Sequence, residues 1–313
     1  MKSAKSTTTP EPKPNASPMH FPRLETTLRE YPLISFFVLA NLLSWLAWAP
    51  YILSHDGLGI LDFRVPAILG SGQLLGVLPG AYLGPITSAF LLTALIDGRA
   101  GLKSWLGRLW RWKTPLRWYV ISVLAVPAGM VLTGLVFSQG HIAAPSVTAL
   151  LAFVPMFLFQ MVTTGLAEEP GWRDFALPRL QCRFSPLNAA CILGPLWGIW
   201  HLPLFLTEWG GYPDATWVRP AAFLIFCFAF NIVMSWVFNR TGQSLPLSMM
   251  MHVSANTFAS LMWSELFPLL DADGELIWIA MALGSSIAAV IIVATTRGRL
   301  GHPNQDPAIS PSS

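Results

Sequence analysis

Six polar side chains stand in stretches that are otherwise apolar: Glu168, Glu169 and Arg173 in one, His201 in a second, and His252 with Asn256 in a third. Ionisable groups inside an apolar span are costly and usually mark function. Two adjacent carboxylates repel, and unlike surroundings let one remain a base while the other is paired. Glu169 and Arg173 stand four apart, the spacing that joins an ion pair along a helix. Trp197 and His201, and again His252 and Asn256, are four apart and share a face. Each group alone has a plain structural reading: an ion pair at a span end, a packed histidine, an asparagine bonding between helices. Together they are the parts needed to hydrolyse an amide in a dry site. A carboxylate takes a proton from water and a histidine orients that water. A second imidazole and an amide donate to the developing oxyanion, where one donor contributes roughly 3–4 kcal/mol.

The elements that must position these groups are membrane spans. The 313 residues are 53% hydrophobic and 11% charged, with a mean hydropathy of +0.53. Soluble domains carry roughly 25% charged residues, so lipid must cover much of this surface. A crossing helix needs about 20 apolar residues, and eight stretches qualify. They lie near Pro32–Leu53, Leu78–Ile96, Trp118–Phe137, Val147–Ala167, Leu187–Leu206, Pro220–Phe238, Leu245–Trp263 and Leu276–Ala294. The fold class is thus all-α: a polytopic transmembrane bundle of about eight helices. It divides into a flexible polar tail over 1–30, a membrane domain over 31–296 and a polar tail over 297–313. With the N-terminus inside, seventeen of the nineteen Lys/Arg fall in cytoplasmic segments; Arg64 and Arg219 do not. That asymmetry predicts a multi-pass protein of the cell membrane with both termini cytoplasmic. The basic, Trp-rich stretch Leu102–Trp118 reads as a helix in the membrane surface that anchors topology and has no catalytic role. Nucleic acid is not an expected partner. The glycines and prolines between Val65 and Gly80 predict an irregular or re-entrant entry to the second span. Cys182, Cys191 and Cys227 have no CxxC spacing and read as free thiols, and His55, His141 and His302 receive no role.

At these residues the chain resembles the CPBP family of intramembrane glutamic endopeptidases, also called the CAAX prenyl protease type 2 or Abi family. EExxxR is Glu168, Glu169 and Arg173; FxxxH is Trp197 to His201, with Trp in place of Phe; HxxxN is His252 to Asn256. The motifs fall in order on the fourth, fifth and seventh spans. The resemblance implies an eight-helix fold whose polar catalytic cavity opens to the cytosolic side. It also implies Glu168 as general base, His201 as helper in activating water, His252 and Asn256 as the oxyanion hole, and Glu169 with Arg173 as support. The implied partners are membrane lipids and a protein or peptide substrate, a lipid-modified protein or a bacteriocin among them.

No cofactor is expected. The zinc-protease motif HExxH is absent, although Glu168, His201 and His252 could in principle assemble a zinc site across three helices. Two other functional classes are consistent with the same residues: a non-catalytic immunity or scaffold protein, and a proton relay. Paired interrupted halves, which would favour a transporter, are not seen.

Overall fold

The computed structural model describes residues 22–68, 70–270 and 274–302. Among them all regular structure is helical, with no strand beyond one isolated bridge between Ile68 and Ser71. In chain order the helices are α1 (Pro22–Glu30), α2 (Pro32–Leu53), α3 (Gln73–Ile96), α4 (Gly98–Arg108), α5 (Leu116–Phe137), α6 (Val147–Gln181), α7 (Pro186–Leu206), α8 (Val218–Arg240), α9 (245–266) and α10 (Leu276–Thr296). Seven are long and apolar enough to cross a membrane: α2, α3, α5, α6, α7, α8 and α10. The eighth expected span is present as the continuous helix α9. It falls short of the others in apolarity because it carries Ser248, His252, Ser254, Asn256 and Thr257, of which only Asn256 is not fully buried. A helix enclosed by other helices needs no lipid-compatible surface.

Lipid-facing and core-facing positions separate clearly. The first half of α6 leaves Val147, Leu151, Val154 and Leu158 exposed, as an outer helix in hydrocarbon would. α8 is the most enclosed span and packs along α7 and α10. Where α5 crosses α10, Gly129 and Gly284 meet, and a Cβ on Gly284 would lie 3.0 Å from the Gly129 backbone. Small residues bring membrane helices together in this way, because lipid tails supply no hydrophobic drive of their own.

Several boundaries differ from the sequence reading. The polar segment 1–30 is not all tail: Pro22 opens α1, and Arg29 donates to the carbonyls of Leu95 and Ile96 at 2.8 and 2.6 Å. Those are unpaired acceptors at the end of α3, which a cation satisfies well. Residues 1–21 and 303–313 lie outside the described residues. At the other end Leu300 is buried and its carbonyl accepts from Asn239 Nδ2 at 3.1 Å, so the chain stays packed beyond residue 297. α3 starts at Gln73 rather than Leu78, which confines the irregular entry to residues before 73. The surface helix ends at Arg108, well short of Trp118: residues 109–110 turn and 111–115 are non-helical before the next helix opens at Leu116.

Candidate active site

The EExxxR segment sits inside one unbroken helical run. α6 does not end near Ala167; it continues to Gln181, changing to a π-helical turn over Pro170–Ala176. Pro170 has no N–H to give a regular α-helical bond, and the wider turn absorbs that loss. Such π turns recur at functional sites because they redirect side chains locally. Gly171 is required here by contact: a Cβ would stand 2.6 Å from Pro85 Cβ and 2.7 Å from its carbonyl oxygen on α3. The motif therefore lies in the protein interior. Glu169 and Arg173 are fully buried, and Glu168 is 5% exposed, which rules out the interfacial ion-pair reading.

All three motifs meet. Glu169 takes Nδ1 of His252 at 2.8 Å and faces Nε of Arg173 at 3.2 Å. An ionised carboxylate only accepts, so His252 carries hydrogen on Nδ1. Arg173 in turn donates to Asn231 Oδ1 on α8, and Asn231 Nδ2 donates to the Ala190 carbonyl at 2.6 Å. Glu168 takes a different partner. Its Oε2 accepts from the indole N–H of Trp197 at 2.8 Å and lies 3.9 Å from Nε2 of His201. Nδ1 of His201 contacts the Trp197 carbonyl at 2.9 Å. A carbonyl only accepts, so the hydrogen of His201 is on Nδ1, and Nε2 presents a lone pair toward Glu168. The adjacent glutamates are thus separated in role: Glu169 is closed into an ion-pair chain, while Glu168 faces a cavity.

That cavity has a volume of about 90 Å³ and is lined by Glu168, His201, His252 and Asn256 together with an aromatic wall. Trp200 and Phe223 meet the His201 ring edge-on at 4.5 and 4.9 Å, and Trp209 stacks on it at 5.8 Å. Ser44 ties the wall to α2 and α3, accepting from Trp200 Nε1 at 2.7 Å and donating to the Gly80 carbonyl at 2.7 Å. Pro203, beside His201, lies in a 3₁₀ turn over Leu202–Leu206 that ends α7. A larger chamber of about 530 Å³ adjoins the site, and Val77, Thr164, Trp209 and Asn256 line both.

Among the described residues no three His, Cys, Asp or Glu side chains converge as metal ligands. Nδ1 of each histidine bonds an oxygen acceptor, which leaves Nε2 as the ring nitrogen without that bond.

Three participants escaped the sequence reading. Asn231 could have been found by the rule that located the others, since it is a polar group within an apolar span. Trp197 was recognised as the aromatic of its motif, but its indole bond to Glu168 is one that a phenylalanine cannot make. The surface helix α4 is more than an anchor: buried Trp105 donates to the Pro170 carbonyl at 3.1 Å, and Arg108 pairs with buried Asp174. It therefore braces the π turn that directly follows the glutamates.

A family model described as type II CAAX prenyl endopeptidase, Rce1-like, matches residues 150–258. Over that segment the chain is similar to the Rce1-like CAAX endopeptidases. The matched region runs from α6 into α9 and contains every motif residue named above. CAAX prenyl protease 2 of Methanococcus maripaludis is 26% identical over 138 residues, covering 43% of this chain and 48% of that protein. The alignment thus spans about half the length of this relative. The Rce1-like segment here is embedded in a multi-pass membrane protein, with seven helices among the described residues long and apolar enough to cross a membrane.

Proposed function

We propose that this protein is an intramembrane endopeptidase that hydrolyses peptide bonds of membrane-associated proteins or peptides through a water activated by Glu168. The observation that carries the reading is the 3.9 Å separation of Glu168 Oε2 from His201 Nε2, two acceptors facing one small, buried cavity. A water between them donates one hydrogen to each and keeps a lone pair for attack. Its oxygen adds to the scissile carbonyl carbon while a proton passes to Glu168. The proton is then available for the departing amine as the carbon–nitrogen bond breaks.

His252 and Asn256 line the same cavity and supply donors to the tetrahedral oxyanion. Glu168, Glu169 and Arg173 leave one uncompensated negative charge. An imidazolium at His252 balances it and gives Nε2 a hydrogen to donate. Glu169 and Arg173 are positioning residues that act through His252. No step needs a metal from these residues. The charge pattern supports a cell-membrane protein with both termini cytoplasmic. A lipid-modified protein and a bacteriocin are the finer substrate classes offered by the family.

The test is cleavage of a fluorogenic peptide library by purified protein in detergent. Glu168→Gln should lower kcat at least 100-fold, the smaller end of the range of about 10²–10⁴ for general-base catalysis. Equal cleavage by wild type and Glu168→Gln would refute the assignment.

A further inference from the structure

The surface helix α4 receives little support from the rest of the fold. It has eleven residues, with Gly101 and Gly107 inside it. Isolated helices shorter than roughly 12–15 residues are marginal in water, and glycine weakens a helix further. Trp105 alone among its side chains is buried. Its polar links to the bundle are the bond from Trp105 to the Pro170 carbonyl at 3.1 Å and the pairing of Arg108 with Asp174. Both links land on the π turn that directly follows Glu168 and Glu169.

The outward face of α4 is different in kind. Arg99, Lys103 and Leu106 recur at i, i+4 and i+7, so they share one face, and all three are exposed. Just beyond the helix Trp110 is 79% exposed and Leu116 76% exposed, beside exposed Trp112 and Lys113. Residues 98–119 include six cations and no acid. The acids beside α4 are already matched, Asp174 by Arg108 and Asp97 by Arg179. Among the described residues none of Arg99, Lys103 and Lys113 is held in an ion pair.

Large apolar side chains mixed with uncompensated cations suit the headgroup layer of a membrane, where rings reach the acyl boundary and cations meet phosphates. Zwitterionic headgroups would leave that positive charge unanswered. Each cation near an anionic surface contributes roughly fivefold to binding. We propose that α4 docks on anionic lipid headgroups, and that this docking holds the π turn so that Glu168 and Glu169 keep their working geometry. Anionic lipid is then a positive regulator of the site. Lipid engages the outer face, Trp105 and Arg108 engage the inner one, and the two contacts support each other through a helix that is marginal alone. The inference rests on the peptidase reading.

The experiment uses the full chain in nanodiscs of pure phosphatidylcholine or of phosphatidylcholine mixed with phosphatidylglycerol. Amide hydrogen exchange of residues 98–108, read by mass spectrometry, should be roughly tenfold slower in the anionic discs, with α8 unchanged as the internal control. The kcat for peptide cleavage should rise about fivefold in the same discs. High salt should erase both differences, because exposed charges are screened. The triple variant Arg99→Gln, Lys103→Gln, Lys113→Gln should lose the contrast between the two membranes in both readouts. Equal exchange of residues 98–108 in the two discs would overturn the lipid docking. Slower exchange at unchanged kcat would overturn the coupling to the site. The same rise in kcat on adding inorganic phosphate to detergent-solubilised protein would overturn the membrane as the occupant. Absence of cleavage in discs and detergent alike would sink the peptidase reading, while hydrogen exchange would still report whether α4 meets anionic lipid.

Discussion

Replacing Glu169 by glutamine tests the core of the electrostatic argument. The carboxylate stands between His252 Nδ1 at 2.8 Å and Arg173 Nε at 3.2 Å, and all three residues are buried. Glutamine preserves the shape and removes one charge. Its carbonyl oxygen accepts from Arg173, so its NH₂ must face His252. Nδ1 then becomes the acceptor, and the ring is neutral with its hydrogen on Nε2. The oxyanion keeps its donor but loses the charge behind it. A hydrogen bond to a charged group contributes about 1.5–3 kcal/mol against about 1 kcal/mol between neutral groups. The transition state therefore loses about 1–2 kcal/mol, or roughly 5- to 30-fold in kcat. Glu169→Ala leaves Arg173 with no anionic partner beside it, and breaking a buried pair costs about 3–5 kcal/mol of stability. The assay is initial-rate peptide cleavage in detergent, run beside thermal unfolding of wild type and both variants. Wild-type kcat in Glu169→Gln would refute the claim that this carboxylate charges His252. A glutamine variant as inactive as Glu168→Gln would refute the division of labour between the two glutamates.

Other substitutions probe the supports. Asn231→Ala removes the acceptor for Arg173 and should destabilise the protein by about 1–3 kcal/mol, read as a lowered Tm in detergent; an unchanged Tm would show that the Arg173 contact contributes little. Gly171→Ala forces a Cβ against the Pro85 backbone and should lower stability by about 1–3 kcal/mol, measured the same way. Trp105→Phe keeps the ring and removes the donor to Pro170, so it should lower Tm by an amount matching about 1 kcal/mol. A loss of kcat larger than that of stability would show that α4 positions the glutamates as well as bracing them. Peptide cleavage should survive a strong chelator in metal-free buffer. Stoichiometric zinc in wild type that disappears in His201→Ala and His252→Ala would overturn the metal-free reading.

Much of this protein was legible in its sequence because membranes restrict what a chain can do. Lipid cannot hydrogen-bond to an open backbone, so apolar runs of span length had to be helices, and polar groups within them had to face inward. That logic alone brought Glu168, His201, His252 and Asn256 into one list, and i,i+4 spacing joined Glu169 to Arg173. Spacing along one chain says nothing of contacts between helices. Only the tertiary structure decided that Glu169, and not Glu168, takes His252: adjacent helical residues point roughly 100° apart, and which of the two directions meets α9 depends on how the helices pack. Only it revealed Asn231 on α8 behind Arg173, the Trp197 indole on Glu168, and α4 holding the turn from outside. The larger chamber beside the site also belongs to the packing, since its walls come from α3, α6, α9 and α10 together. A sequence records which helices are apolar, but the gaps between them exist only after they have met.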